Sequence, residues 1–152
     1  EDSAASVAWT LENAGRHGVA PGPVYLAGHS AGAYNAVMLT IDDRWLRTHD
    51  LRPCEAIAGT VGLAGPYDFL PLQSDSLRAI FGPKDQRERT QPINYVNGNA
   101  PPLLLASGLL VLAGGFRAAP RWKHSARALR PVASRRTALY CMTRSVWQVT
   151  EF

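Results

Sequence analysis

Val24-Tyr25-Leu26-Ala27-Gly28-His29-Ser30-Ala31-Gly32-Ala33-Tyr34-Asn35-Ala36 is the stretch on which the reading of this 152-residue chain turns. Its first four residues are apolar and follow Pro21-Gly22-Pro23, a breaker run, so they read as a strand buried on both faces. Residues 33–39 carry apolar side chains at helical spacing. Between strand and helix stands Gly28-His29-Ser30-Ala31-Gly32, a G-x-S-x-G motif in the strand–turn–helix setting that a nucleophile elbow requires. A turn this sharp holds Ser30 in a strained backbone conformation with its hydroxyl projecting beyond the sheet. The helix N-terminus beneath it favours a developing oxyanion, and the Ala31 N–H is one expected donor. Side chains at 28 and 32 would collide with the neighbouring strand and helix, which accounts for glycine at both.

Working outward, Asp2 or Ser3 caps an upstream helix whose apolar stripe is Val7, Ala8, Leu11 and Ala14, stopped by Gly15 and Gly18. Residues 42–53 read as a short helix and loop. Residues 56–64 form a second apolar run, ended by Gly65-Pro66. Ser74 or Asp75 caps a short helix over 77–81 with Gly82 as its stop. Residues 86–99 read as polar loop or short helix, and 103–106, after Pro101-Pro102, as a third buried strand. Alternating helices and apolar strands predict an α/β fold, a mainly parallel sheet with helices on both faces. The runs 24–27, 56–63 and 103–106 are expected to be neighbouring parallel strands.

Charge divides the chain. Residues 1–108 hold eight Lys and Arg against eleven Asp and Glu; residues 109–152 hold eight, seven of them Arg, against Glu151 alone. The first part reads as a folded domain and the second as a basic Arg-, Ala- and Pro-rich tail, expected to be poorly ordered, with a weak helical pattern over 122–129. Cys54 and Cys141 lack zinc or disulfide-framework spacing, and no histidines have metal-ligand spacing, so no metal is expected. Residues 100–116 are interrupted by Pro, Ser and Gly and read as strand plus loop rather than a membrane span. No basic n-region with an apolar core opens the chain, which leaves cytoplasmic as the default compartment.

The elbow stretch resembles that of α/β-hydrolases of the carboxylesterase / acetylesterase-lipase type, a group that includes kynurenine formamidase-like enzymes. Glu1-Asp2-Ser3 to Trp9-Thr10 is similar to the helix before that elbow. Gly62-Leu63-Ala64-Gly65-Pro66-Tyr67-Asp68-Phe69 resembles the next strand and its exit loop. Ala100-Pro101-Pro102-Leu103-Leu104-Leu105-Ala106-Ser107-Gly108 resembles the strand leading to the catalytic acid. The likeness covers about residues 1–108 and implies a partial α/β-hydrolase fold. It implies a serine hydrolase of small carboxylic esters working through an acyl-enzyme, without a cofactor.

Departures from that pattern are equally specific. The upstream HGG-type oxyanion loop is not in this sequence, Val111 stands where a G-x-x-D acid would follow Gly108, and no Gly-His pair follows Gly32. After Gly108 the text resembles an out-of-frame reading of a GC-rich gene, so the chain is expected to be a piece of such an enzyme, weakly active or inactive. In the elbow order of Ser, acid and His, the residues formally able to complete a triad are Asp68 and His124. Asp68 otherwise reads as a turn-stabilising residue and His124 as a solvated tail residue. His29 is expected to line the pocket, and Trp9, Tyr34 and Tyr67 to be packing groups. A second function class is a non-catalytic fragment whose basic tail binds nucleic acid or an acidic surface. No aromatics interleave to stack bases, so no nucleic acid is expected, and no membrane; the partner that the resemblance implies is a small ester.

Overall fold

The computed structural model describes residues 1–96, 98–108, 137–143 and 146–151. Helix α1 (Asp2–Asn13) buries Val7 and Ala8 of the apolar stripe seen in the sequence, together with Ala4, while Leu11 is half-buried. Its N-cap is Glu1, which makes no side-chain cap, and Asp2 lies in the first turn, where the helix dipole favours an acid. Neither Asp2 nor Ser3 is therefore the cap. The helix tightens into a 3-10 turn (Ala14–His17) and ends at Gly18, whose φ of 75° suits glycine; Gly15 is carried within the turn.

Strand β1 (Val24–His29), helix α2 (Ala31–Ile41) and strand β2 (Ile57–Leu63) form a β-α-β unit. Two short helices, α3 (Arg44–Arg47) and α4 (Pro53–Ala56), fill the return path. Helix α5 (Asp75–Phe81) and two 3-10 turns (Lys84–Thr90, Pro92–Tyr95) precede strand β3 (Leu103–Gly108). Ser74 caps α5 by accepting from the Leu77 N–H at 3.2 Å, and Gly82 ends it at φ 74°. As the sequence predicts, β1, β2 and β3 are parallel neighbours in that order.

The sheet then continues. Strands β4 (Thr137–Thr143) and β5 (Val146–Glu151) add antiparallel ladders, β3 to β4 and β4 to β5. The sequence pattern predicts no strand there, only a basic tail. Residues 109–136, which include the weak helical pattern at 122–129, lie outside the described residues.

Register explains which face is packed. Leu26, Thr60 and Leu103 stand side by side, followed by Gly28, Gly62 and Leu105. Onto this row α2 sets Ala33, Val37 and Ile41, with Tyr67 completing the cluster. A second cluster joins α1 to the same side through Ala4, Val7, Leu39, Leu46 and Ile57. The other face of β1 shows Tyr25, Ala27 and His29 to solvent, with Tyr25 81% exposed. Among the described residues the helices thus cover one face, not both. The sequence could not reveal this, because a short apolar strand reads alike whether one or two faces are covered.

One polar contact crosses the packed layer. The Thr40 hydroxyl donates to the Ala36 carbonyl at 2.7 Å and meets the Thr60 hydroxyl at 2.6 Å, both residues being buried. Buried Gln91 ties down the loop after β2: its Oε1 accepts from the Phe69 N–H at 2.9 Å, while Ile93 N–H donates to the Tyr67 carbonyl at 3.0 Å.

Candidate active site

The chain leaves β1 at His29 and enters α2 at Ala31, so Ser30 alone makes the turn. Its backbone stands at φ 54°, ψ −120°, a region that L-residues occupy only at a cost of about 1–3 kcal/mol. Two hydrogen bonds hold it there. Ser30 N–H donates to the Leu63 carbonyl at 2.9 Å, and the Ser30 carbonyl accepts the first helical bond from the Tyr34 N–H at 3.2 Å. A serine in this position ordinarily caps the helix with its own oxygen. Here it does not, and its hydroxyl has no hydrogen-bond partner among the described residues. The first-turn N–H groups of Ala31, Gly32 and Ala33 precede the first helical bond and have no intrahelical acceptor.

Gly28 is required sterically: a Cβ there would run into the carbonyl group of Gly32 and approach the Ala33 nitrogen to 2.6 Å. Gly32 is different. A Cβ there would meet nothing within 4 Å, so the expected collision at 32 is not found; the residue faces the open edge of β1. The motif's two glycines therefore do different things, one permitting the turn and one leaving space.

At the end of β2 the chain makes a second unusual step. Ala64 stands at φ 51° and donates to the Ala106 carbonyl at 2.7 Å, continuing the β2–β3 pairing beyond the strand. Gly62 and Gly65 together make room for Tyr67. A Cβ on Gly62 would fall on the Tyr67 hydroxyl and within 2.9 Å of Leu105, and one on Gly65 would come within 2.5 Å of the Tyr67 ring. Burial raises the Tyr67 phenol, with the Gly65 backbone acting against it. Tyr67 is thus a packing group, as expected. Trp9 is not: it is 57% exposed and lies against the ring of His17, 5.8 Å between centroids.

One helical turn after Ser30, Tyr34 meets Phe69 and Phe81 edge-on at 5.9 and 5.8 Å, and the two phenylalanines lie 5.0 Å apart. The Tyr34 hydroxyl donates to the Thr90 carbonyl at 2.9 Å. Burial, then the neighbouring Tyr95 and Asp42, push its ionisation up to about 12. Nothing in the sequence joins residues 34, 69 and 81; only the loop anchored by Gln91 brings them together.

The remaining site residues are less concentrated. Asp68 is half-buried on that loop and makes no hydrogen bond or ion pair among the described residues, so the expected turn-stabilising bond is not made. His29 is exposed at the end of β1. His124 lies outside the described residues. No group of three His, Cys, Asp or Glu able to hold a metal occurs among the described residues, and no described helix is long and apolar enough to cross a membrane. Comparison of the chain with family models, with curated proteins and with solved structures finds no match in any of the three.

Proposed function

We propose that this chain carries the nucleophile portion of a serine hydrolase acting on small carboxylic esters, of the carboxylesterase / acetylesterase-lipase type within the α/β-hydrolases. The observation that carries the reading is Ser30 itself, a non-glycine residue at positive φ between a parallel strand and a helix, with a hydroxyl that does not cap that helix. Strain of this kind persists only where the surrounding structure enforces it.

In this reading Ser30 Oγ attacks the acyl carbon as a base takes its proton. The carbonyl oxygen becomes an oxyanion held by the Ala31 N–H and by the positive end of α2. Collapse of the tetrahedral species expels the alcohol and leaves an acyl-serine. Water then adds to the acyl carbon, the acid departs and Ser30 regains its proton. Asp68 and His124 are the residues proposed to orient and perform the proton transfer. No cofactor takes part.

The test is covalent labelling. A fluorophosphonate probe should modify Ser30, identified by mass spectrometry of the modified peptide, and Ser30→Ala should abolish the label. Equal labelling of the wild type and the variant would refute the proposal.

A further inference from the structure

A second concavity lies at the far end of α2 from the elbow. It has a volume of about 730 Å³ and runs from Ile41 and Asp42 to Cys54 and Tyr95. Eleven helical residues separate it from Ser30, roughly 15 Å along the axis. Its size is that of a small-molecule site. Its lining includes three arginines, Arg44, Arg47 and Arg52, against two acids, Asp42 and Asp43.

The three arginines are not equivalent. Arg44 is committed: its Nε and Nη2 donate to the buried Asp42 carboxylate at 2.9 and 2.7 Å, and the guanidinium lies 5.0 Å from the Tyr95 ring centroid. The hydrogen bond to Asp42 raises its ionisation further, and Arg44 and Asp42 offset each other's charge on this lining. Arg47 and Arg52 are engaged only at the surface, Arg47 through both Nε, at 2.8 Å, and Nη2 to one Asp43 oxygen. Their side chains are 65% and 69% exposed; Arg47 pairs with the exposed Asp43 at 2.6 Å, and Arg52 approaches the exposed Glu55 no closer than 3.7 Å. Exposed pairs of this kind contribute little and exchange readily. An arriving anion can therefore take both guanidinium groups without leaving a buried charge unpaired. The guanidinium fork matches phosphate and carboxylate oxygens in pairs.

We propose that this cavity binds a small dianion, its two charged oxygen groups held by Arg47 and Arg52. Free Cys54, exposed on the same lining, provides a reporter independent of any esterase activity. The experiment is alkylation of Cys54 by N-ethylmaleimide, followed at the Cys54 peptide by mass spectrometry. It is run with inorganic pyrophosphate, with succinate, or with sodium chloride at matched ionic strength. Protection is scored as the ratio of rates with and without anion, since removing an arginine alters the thiol's own reactivity. Saturable protection of about fivefold or more by pyrophosphate or succinate, absent with chloride, is the expected result, and the more effective anion assigns the chemistry as phosphate or carboxylate. Arg47→Gln and Arg52→Gln should each raise the half-protecting concentration about tenfold. Both side chains are mostly exposed, so these variants retain the fold. Protection by neither anion, equal protection by chloride, or protection unchanged in both variants overturns the proposal.

Discussion

Ser30 hangs from Leu63: the N–H of the first donates to the carbonyl of the second at 2.9 Å, one residue beyond the point where β1 ends. The bond carries the β1–β2 pairing into the turn and holds Ser30 in a conformation that a free serine would leave. Replacement by glycine should remove the strain of about 1–3 kcal/mol, less about 0.5–1 kcal/mol of added chain entropy in the unfolded state. Ser30→Gly is expected to raise the urea midpoint while abolishing fluorophosphonate labelling. Ser30→Ala should abolish labelling without that gain. A Ser30→Gly variant less stable than Ser30→Ala would show that the backbone is not strained.

The two motif glycines should respond oppositely to alanine. Gly28→Ala drives a methyl into the backbone of Gly32 and Ala33, which cannot move without unwinding the start of α2. A loss of about 3 kcal/mol or more, or failure to fold, is expected. Gly32→Ala meets nothing, and in a helix alanine is favoured over glycine by about 0.8–1 kcal/mol. Denaturant melts of the pair test this; equal losses would mean the open space at 32 is filled in solution.

Gly62 and Tyr67 should be energetically coupled. Gly62→Ala overpacks against the Tyr67 hydroxyl, Leu105 and Val37, at an expected cost of about 1–3 kcal/mol. Tyr67→Phe removes the oxygen that the new methyl would strike. The double variant should therefore be less destabilised than the sum of the singles, by at least about 0.5 kcal/mol. Strict additivity would mean that the clash is relieved elsewhere.

Stability should fall in alkali. Tyr34 ionises near 12 because it is buried beside Tyr95 and Asp42, and Tyr67 is raised by burial. The unfolded chain loses both protons near 10. Their contribution is thus complete below pH 10 and drains away as pH climbs through about 12. The urea midpoint is expected to hold steady from pH 7 to 9 and to decline above 10, with a smaller decline in Tyr34→Phe. A midpoint that is flat to pH 12 would contradict the burial of these phenols.

β1 should drive self-association. Among the described residues it is the terminal strand of the sheet, holds no Lys, Arg, Asp or Glu, and shows Tyr25 largely to solvent. Unprotected edges of this kind pair with other chains. Tyr25→Lys is expected to lower light scattering at a given concentration and to increase the monomer fraction on gel filtration. Scattering unchanged by the substitution would place the sticky surface elsewhere.

The parallel core was readable because its signals are local. Pro21-Gly22-Pro23 opens β1, Gly65-Pro66 closes β2, Pro101-Pro102 opens β3, and each brackets an apolar run. Ser30 was readable for the same reason, since turn, strand and helix are contiguous. What escaped depends on distance. Gln91 is polar and sits in a polar stretch, yet it is buried because Phe69, twenty-two residues away, needs its oxygen. The open face of β1 depends on what covers Tyr25, which the residues around Tyr25 do not encode. In β4 and β5 the signal was present but outweighed: Thr137, Tyr140, Val146, Trp147 and Val149 are strand formers, hidden among the arginines that set the tail's composition.

The buried threonine pair has a consequence for the elbow at the other end of its helix. Thr40 gives its single hydroxyl proton to Ala36, so the proton between Thr40 and Thr60 must come from Thr60. The contact therefore has a direction and a single seating. An apolar helix on an apolar sheet is free to creep along it, since methyl groups trade neighbours at little loss. A lone donor facing a lone acceptor allows no such drift without stranding both in a dry interface. The pair works as a detent, and α2 is the rod it stops: with Thr40 indexed on β2, the axial position of Ser30 is set from ten residues away.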